Sequence, residues 1–462
     1  MSALWWFSHL AWVGGFLLAT LLLAHIIRQH RPPASTLAWI LFIVMAPYLG
    51  VPFYLIFGGR KVKQIARRKG NLRREQDRSP DEHLSPLEQL LMAHGIAPAV
   101  DGNHLSLCET GEASYEALVA LIEGARQRID LCFFIFHPDR VGQDILNRLI
   151  RRANEGVAVH LLLDGVGSLQ TRERFLKPLA EAGGCFTFFN PVLHRPLRGH
   201  TNLRNHRKLA IADDRQVLAG GANIASEYMG PDPKTGRWHD LTFVIEGSVV
   251  ARFVELFRAD WQYASGQAPG QRAIAVATPD CRVGEARLQV VPSGPDMPGD
   301  ALYDVVLTAI FGARQRLWLV TPYFIPDDAL CRAIILAVHR GVDVRILLPQ
   351  KSNHCLADIA GRSYLREVQQ EGGRILLYGH GMVHAKAMVV DEELAILGSA
   401  NTDMRSLLLN YEVGVLVSSR HEVQKISFWL EALMQDCEEG VAPVGAFGDM
   451  GEGLARLLAP QL

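Results

Sequence analysis

His206 and Lys208 stand two residues apart in RNHRKLAIADDRQVLAGGAN (204–223), and Asp213, Gly220 and Asn223 follow at set intervals. His384, Lys386, Asp391, Gly398 and Asn401 repeat that spacing in VHAKAMVVDEELAILGSAN (383–401), with every offset between the two sets equal to 178. His and Lys at i and i+2 of a strand project from one face, which sets an imidazole beside an ammonium. The apolar LAIA and AMVV that follow continue a buried strand, and Asp213-Asp214 and Asp391-Glu392 suit a turn. A short strand (VLAGG, AILGS) returns from each turn. Its glycine lets backbone approach closely, and the asparagine offers an amide donor.

Two such half-sites brought together supply two imidazoles, two ammoniums and two amides around one cavity. That set suits a tetrahedral phosphoryl group, whose charge the cations and amides neutralise. One histidine can attack phosphorus while the other protonates the departing alkoxide, then serves as base for the incoming hydroxyl. The result is a double displacement that calls for no metal and no cofactor. The His and Asp residues lack a compact metal-ligand spacing, and the lysines would repel a cation. His194, His200 and His354 have no counterpart at the repeat offset and read as rim or surface residues.

The positioning elements are also duplicated. SYEALVALIEGARQR (114–128) places Leu118, Leu121, Ile122 and Ala125 on one helical face. IDLCFFIF reads as a buried strand, Ile145–Ala153 as a helix, and VAVHLLLD (157–164) as another strand. This βαβ rhythm predicts parallel strands covered by helices. Gly124-Ala125-Arg126-Gln127-Arg128 recurs at 312–316, and RGVDVRILLP (340–349) matches EGVAVHLLLD. A repeat this long predicts two homologous α/β domains, at 101–265 and 301–462, joined by a Gly/Pro/Ser-rich linker at 266–300.

The 462 residues hold 47 Lys+Arg against 48 Asp+Glu, a formal net charge of -1. Ten basic residues and no acidic one precede Glu75, which leaves the remainder at -11. Such an acidic body argues against nucleic acid as a partner. Residues 4–27 and 35–57 carry no Asp, Glu, Lys or Arg, and RQHRPP makes a turn between them. They predict a transmembrane hairpin over 1–59, followed by a basic juxtamembrane linker at 60–100. Positive charge after the second span puts both ends, and the catalytic body, in the cytoplasm. Seven scattered cysteines without a CxxC pair indicate neither a disulfide framework nor a zinc site.

The two motifs resemble the HKD motifs of the phospholipase D superfamily. The leader RQHRPPASTLAWILFIVMAPYLGVPFYLIFGGRK, WHDLTFVIEG (238–247), PSGPD (292–296), TPYFIP (321–326) and NTDMRS (401–406) are similar to bacterial cardiolipin synthases. So are Asn410-Tyr411-Glu412 and the closing ARLLAPQL. The resemblance implies two phospholipase D-like domains, mixed sheets flanked by helices, forming one active site in a multi-pass protein of the bacterial inner membrane. It implies transfer of a phosphatidyl group between two phosphatidylglycerol molecules through a phosphohistidine, giving cardiolipin and glycerol, with no obligate protein partner. A hydrolase, or a transferase using phosphatidylethanolamine as acceptor, would use the same site.

Family precedent places the nucleophile at His206 and the acid/base at His384; the near symmetry of the half-sites also fits the reverse. Lys208, Lys386, Asn223, Asn401 and Ser399 would hold the phosphate, and Asp213 and Asp391 complete the catalytic motifs while organising their turns. Asp240 and Glu412 occupy the positions of carboxylates that buttress a histidine, often that of the opposite half. Gly221 stands where the second half has Ser399, and His239 precedes Asp240 where the family commonly has Arg.

Overall fold

The computed structural model describes residues 33–57, 85–191, 202–266, 282–297 and 299–456, with Gly14, Thr20, Leu22, Ile26 and Ile27 besides. It forms two compact units, Met1–Lys61 with Asn190–Leu203, and Val62–Phe189 with Arg204–Leu462.

In the first unit, the stretch expected as a second span is two helices, Pro33–Met45 and Pro47–Phe57, of 13 and 11 residues. The break falls at Ala46. Gly50 sits where a Cβ would lie 2.8 Å from the Ile43 Cα, so only glycine lets the two helices approach this closely. Ile43, Val51 and Tyr54 pack with Leu22 and Ile26. Among the described residues no helix is long and apolar enough to cross a membrane. At about 1.5 Å per residue, 13 residues fall short of a hydrocarbon core of about 30 Å. Most of 4–27, and all of 60–84, lie outside the described residues.

The second unit is built on one sheet of 15 strands. Its first half contributes β1 (Val100–Cys108), β2 (Arg128–Phe133), β3 (Ala158–Asp164), β4 (Cys185–Phe189), β5 (Leu209–Ala212), β6 (Gln216–Gly220) and β7 (Thr242–Glu246). The second contributes β8 (Ala286–Ser293), β9 (Arg316–Val320), β11 (Asp343–Pro349), β12 (Arg374–Tyr378), β13 (Ala387–Val390), β14 (Leu394–Gly398), β16 (Glu412–Val417) and β17 (Cys437–Glu439). A separate parallel pair joins β10 (Phe324–Ile325) to β15 (Thr402–Asp403).

The strand order is β4-β3-β2-β5-β6-β7-β1, then β8-β16-β14-β13-β9-β11-β12-β17. Apart from the edge strand β17, each half is therefore the other's counterpart, joined at the antiparallel contact of β1 and β8. Within the 15-stranded sheet, parallel pairing is confined to strands linked through helices, β2–β3–β4 and β9–β11–β12, as a crossover demands. The sheet is mixed, and each half has its own apolar core.

Two stretches read as connectors hold regular structure. Ala286–Ser293, inside 266–300, pairs with both β1 and β16 because ARLQVVPS is apolar enough to be buried on two sides. Pro86–Ala93, inside 60–100, is a helix started by Ser85, whose hydroxyl accepts from the Glu88 N–H while Glu88 accepts from the Ser85 N–H.

Candidate active site

The His-x-Lys segments are extended but lie just before β5 and β13 rather than within them. Their backbone partners come from the opposite half. The His206 N–H donates to the Tyr411 carbonyl at 2.9 Å, and the Tyr411 N–H to the Arg204 carbonyl at 2.9 Å. On the other side the His384 N–H donates to the His239 carbonyl at 2.7 Å, and the His239 N–H to the Met382 carbonyl at 2.8 Å. These short parallel pairings carry the residue after each partner, Glu412 and Asp240, onto the imidazoles. Nδ1 of His206 lies 2.9 Å from Glu412 Oε1, and Nδ1 of His384 lies 2.6 Å from Asp240 Oδ2. A carboxylate on Nδ1 holds the proton there and leaves Nε2 with its lone pair.

Both histidines, both lysines and both carboxylates are buried. The Lys208 ammonium donates to the His206 carbonyl at 2.5 Å. The Lys386 ammonium donates to the His384 carbonyl and lies 2.6 Å from Nδ1 and 3.2 Å from Nε2 of that ring. The edge of Phe134 meets His206 at 4.8 Å between ring centres, and Tyr228 and Trp238 pack on His384 at 5.1 and 5.3 Å. Each imidazole thus has an aromatic wall and a carboxylate, which fix its plane.

Burial dominates the electrostatics. It lowers the His206 pKa to about 4, against the opposing pull of Glu412. It holds His384 well below the usual histidine value, with Lys386 and Lys208 adding to the effect. Lys208 falls to about 7 and Lys386 to about 8, again chiefly through burial. Asp240 is raised to about 6 by burial, with Lys386 pulling the other way. The site therefore holds charge reluctantly and gains from an anion, which offsets both desolvation and mutual repulsion of the cations.

Asn223 Oδ1 accepts the Ile135 N–H at 3.0 Å. Asn401 and Lys386 line one hollow, and Asn401 Oδ1 has no hydrogen-bond partner. The Ser399 hydroxyl donates to Glu412 Oε2. At the equivalent Gly221 a Cβ would stand 2.1 Å from Asp240 Oδ1, so the shorter carboxylate occupies the space a side chain would need. Gly220 and Gly398 are glycine for the same kind of reason: a Cβ would come within 2.4 Å of the Leu241 carbonyl and 2.3 Å of the Val413 carbonyl.

Asp213 and Asp391, grouped by sequence with the catalytic residues, lie at the opposite ends of β5 and β13 from the histidines. Asp213 accepts the N–H groups of Arg126, Gln127 and Arg128 at 2.7–2.8 Å. Asp391 accepts those of Arg314, Gln315 and Arg316, the repeat of the same loop. Both have positive φ, 52° and 53°, a conformation Asp tolerates better than most residues. Their chemistry is that of a turn and loop cap.

Sequence reasoning assigned no role to Arg207, Asn205 or Asp260. Asn205 Nδ2 donates to Asp260 Oδ2 at 2.9 Å, and Arg207 Nη1 donates to the same oxygen. Asp260 belongs to no motif and lies 53 residues from Arg207, so only a charged residue in the helix Val250–Ser265 could have hinted at it. Among the described residues no group of three or more His, Cys, Asp or Glu is arranged to hold a metal ion.

Two matching halves that each lend an imidazole, an ammonium and an amide to one centre, with carboxylates crossing between them, define the two-histidine, phospholipase D-like class. Residues 118–261 and 306–434 match the family described as cardiolipin synthase, PLD-like domain, and 17–59 match that described as phospholipase D-nuclease N-terminal. The chain is 32% identical over 425 residues to cardiolipin synthase 1 of Bacillus anthracis, covering 86% of this chain and 83% of that one. It is also 32% identical over 457 residues to a cardiolipin synthase of Listeria monocytogenes, covering 94% and 95% of the two. The phosphatidylserine synthase of Haemophilus influenzae has the same fold, with a TM-score of 0.62 at 16% identity over 82% of this chain and 99% of that one. The chain belongs to the cardiolipin synthase family of phospholipase D-like proteins.

Proposed function

We propose that the protein is a cardiolipin synthase that transfers a phosphatidyl group from one phosphatidylglycerol to a hydroxyl of a second. The observation that carries this reading is the crossed pair of histidine–carboxylate contacts between two lysines in a chain of this family. Nε2 of His206 attacks phosphorus, the bond from phosphorus to the glycerol oxygen breaks, and His384 gives that oxygen a proton. Glycerol leaves, and the phosphatidyl group stays on His206. His384 then takes the proton from the acceptor hydroxyl, whose oxygen attacks phosphorus and breaks the P–N bond. Two phosphatidylglycerols give one cardiolipin and one glycerol, and both histidines return to their starting states.

His206, with its pKa near 4, is neutral and nucleophilic at neutral pH. His384 needs a proton for the first step. The bound diester supplies it indirectly: its negative charge opposes the lysine repulsion that otherwise keeps that ring neutral. Lys208, Lys386, Asn223 and Asn401 hold the non-bridging oxygens, and Ser399 acts through Glu412.

Residues 4–27 and 35–57 anchor this chemistry in the bacterial inner membrane, with the catalytic body on the cytoplasmic side. Their lack of charge, the basic residues that follow and the match over 17–59 support this. Labelling of single cysteines placed in the 28–34 turn and after residue 60 tests it: only the turn should react from the periplasm.

Purified enzyme with phosphatidylglycerol alone is expected to form cardiolipin and glycerol in equal amounts. Phosphatidic acid as the only lipid product would refute the transfer. His206→Ala and His384→Ala should each abolish turnover, and a radiolabelled phosphatidyl group should be trapped on the protein in only one of the two.

A further inference from the structure

Arg207 stands between two residues that face the site, so its side chain leaves on the other side of the extended segment. It is fully buried. Its Nε donates to the Glu412 carbonyl at 3.0 Å and its Nη2 to the Ser293 carbonyl at 2.9 Å. Glu412 and Ser293 are register partners on β16 and β8. One guanidinium from the first half therefore grips both members of a strand pair in the second. Its Nη1 is anchored on Asp260 at 2.5 Å, which also receives Asn205, and its face lies 5.5 Å from the Tyr411 ring centre.

The second half has Ala385 at the equivalent position, which has no side chain to reach across. The grip is therefore one-sided, and it falls on the residue whose carboxylate holds His206. A buried Arg–Asp pair contributes little net stability compared with apolar packing of the same volume. What a planar five-donor group contributes here is orientation.

We infer that Arg207 is a positioning residue: it clamps the Glu412 backbone so that the carboxylate meets Nδ1 of His206, and it makes the two half-sites unequal. The inference rests on the two-histidine reading above but not on the identity of the acceptor.

A double-mutant cycle tests it, with glycerol release from phosphatidylglycerol and hydrolysis of bis(4-nitrophenyl) phosphate as parallel readouts. Arg207→Met is expected to lower kcat by about 10–100-fold, the usual effect of losing such an orienting partner, with KM changed less than about threefold. Glu412→Gln should then cost at least about tenfold less in the Arg207→Met background than in the wild type. Asp240→Asn should cost the same in both backgrounds.

Additive losses for Arg207→Met and Glu412→Gln, or equal coupling to Asp240→Asn, would overturn the clamp. If Arg207→Met does not fold, Arg207→Lys keeps the charge against Asp260, loses the fork, and carries the same cycle. Wild-type enzyme that turns over the chromogenic diester without releasing glycerol would count against the proposed substrate and leave the clamp to be judged on the diester.

Discussion

Glu412 holds Nδ1 of His206 at 2.9 Å across 206 residues of sequence, and Asp240 holds Nδ1 of His384 at 2.6 Å across 144. Each half therefore owns the carboxylate that orients the other half's imidazole, and neither half carries a complete histidine–carboxylate pair. Asp240→Asn and Glu412→Gln are expected to lower kcat about 10–100-fold while leaving the fold intact. Steady-state kinetics with a thermal unfolding control measure this. Loss of less than about threefold in both variants would show that the carboxylates do not set ring orientation.

Gly221→Ala should behave as a mutation of Asp240. The added Cβ would lie 2.1 Å from Asp240 Oδ1 and must push the carboxylate off His384. Turnover should fall to the level of Asp240→Asn, and combining the two should cost little more. Ser399→Ala, which only removes a donor to Glu412 Oε2, should be the milder change.

Asp213→Ala should damage stability rather than chemistry. It leaves three backbone N–H groups of the 126–128 loop without their acceptor and places alanine at a φ of 52°. A loss of about 1–3 kcal/mol is expected, read in a denaturant titration, while kcat of the folded fraction stays within about twofold of wild type. Asp213→Asn tolerates the conformation and should be closer to neutral. A hundredfold drop in kcat with full stability would restore Asp213 to the catalytic set.

Anion binding should take up protons. Lys208 is held at about 7 and Lys386 at about 8 by burial, so both lose protons as pH rises through that range. A bound anion raises both values, so the complex keeps protons that the free enzyme has released. Affinity must then fall with rising pH. Sulfate, whose charge is constant over this range, should bind at least about tenfold more weakly at pH 9 than at pH 6. Calorimetry in buffers of different ionisation enthalpy should show net proton uptake near pH 8. Affinity independent of pH would mean that the lysines stay charged in the empty site.

The two histidines, the two lysines and the scaffold that carries them are written in local patterns of the chain. Two His-x-Lys copies at one offset, apolar tetrapeptides after them and βαβ periodicity on both sides are local properties, and local spacing is what a strand or helix period reads out. The second segment of the leader was also legible as apolar, and its break at Ala46 has a local signal too, because Pro47, Gly50 and Pro52 mark the segment for a kink and the residue before a proline leaves the helical region. Tertiary structure decided the rest. It drew β8 out of a presumed linker to join the halves, set the motif aspartates on the N–H groups of the 126–128 and 314–316 loops, and crossed Glu412 and Asp240 between the half-sites. It also set Arg207 on Asp260. The physical reason is common to all four: each contact depends on which strands become neighbours, and that choice is made by burying two cores against one sheet rather than by any spacing along the chain.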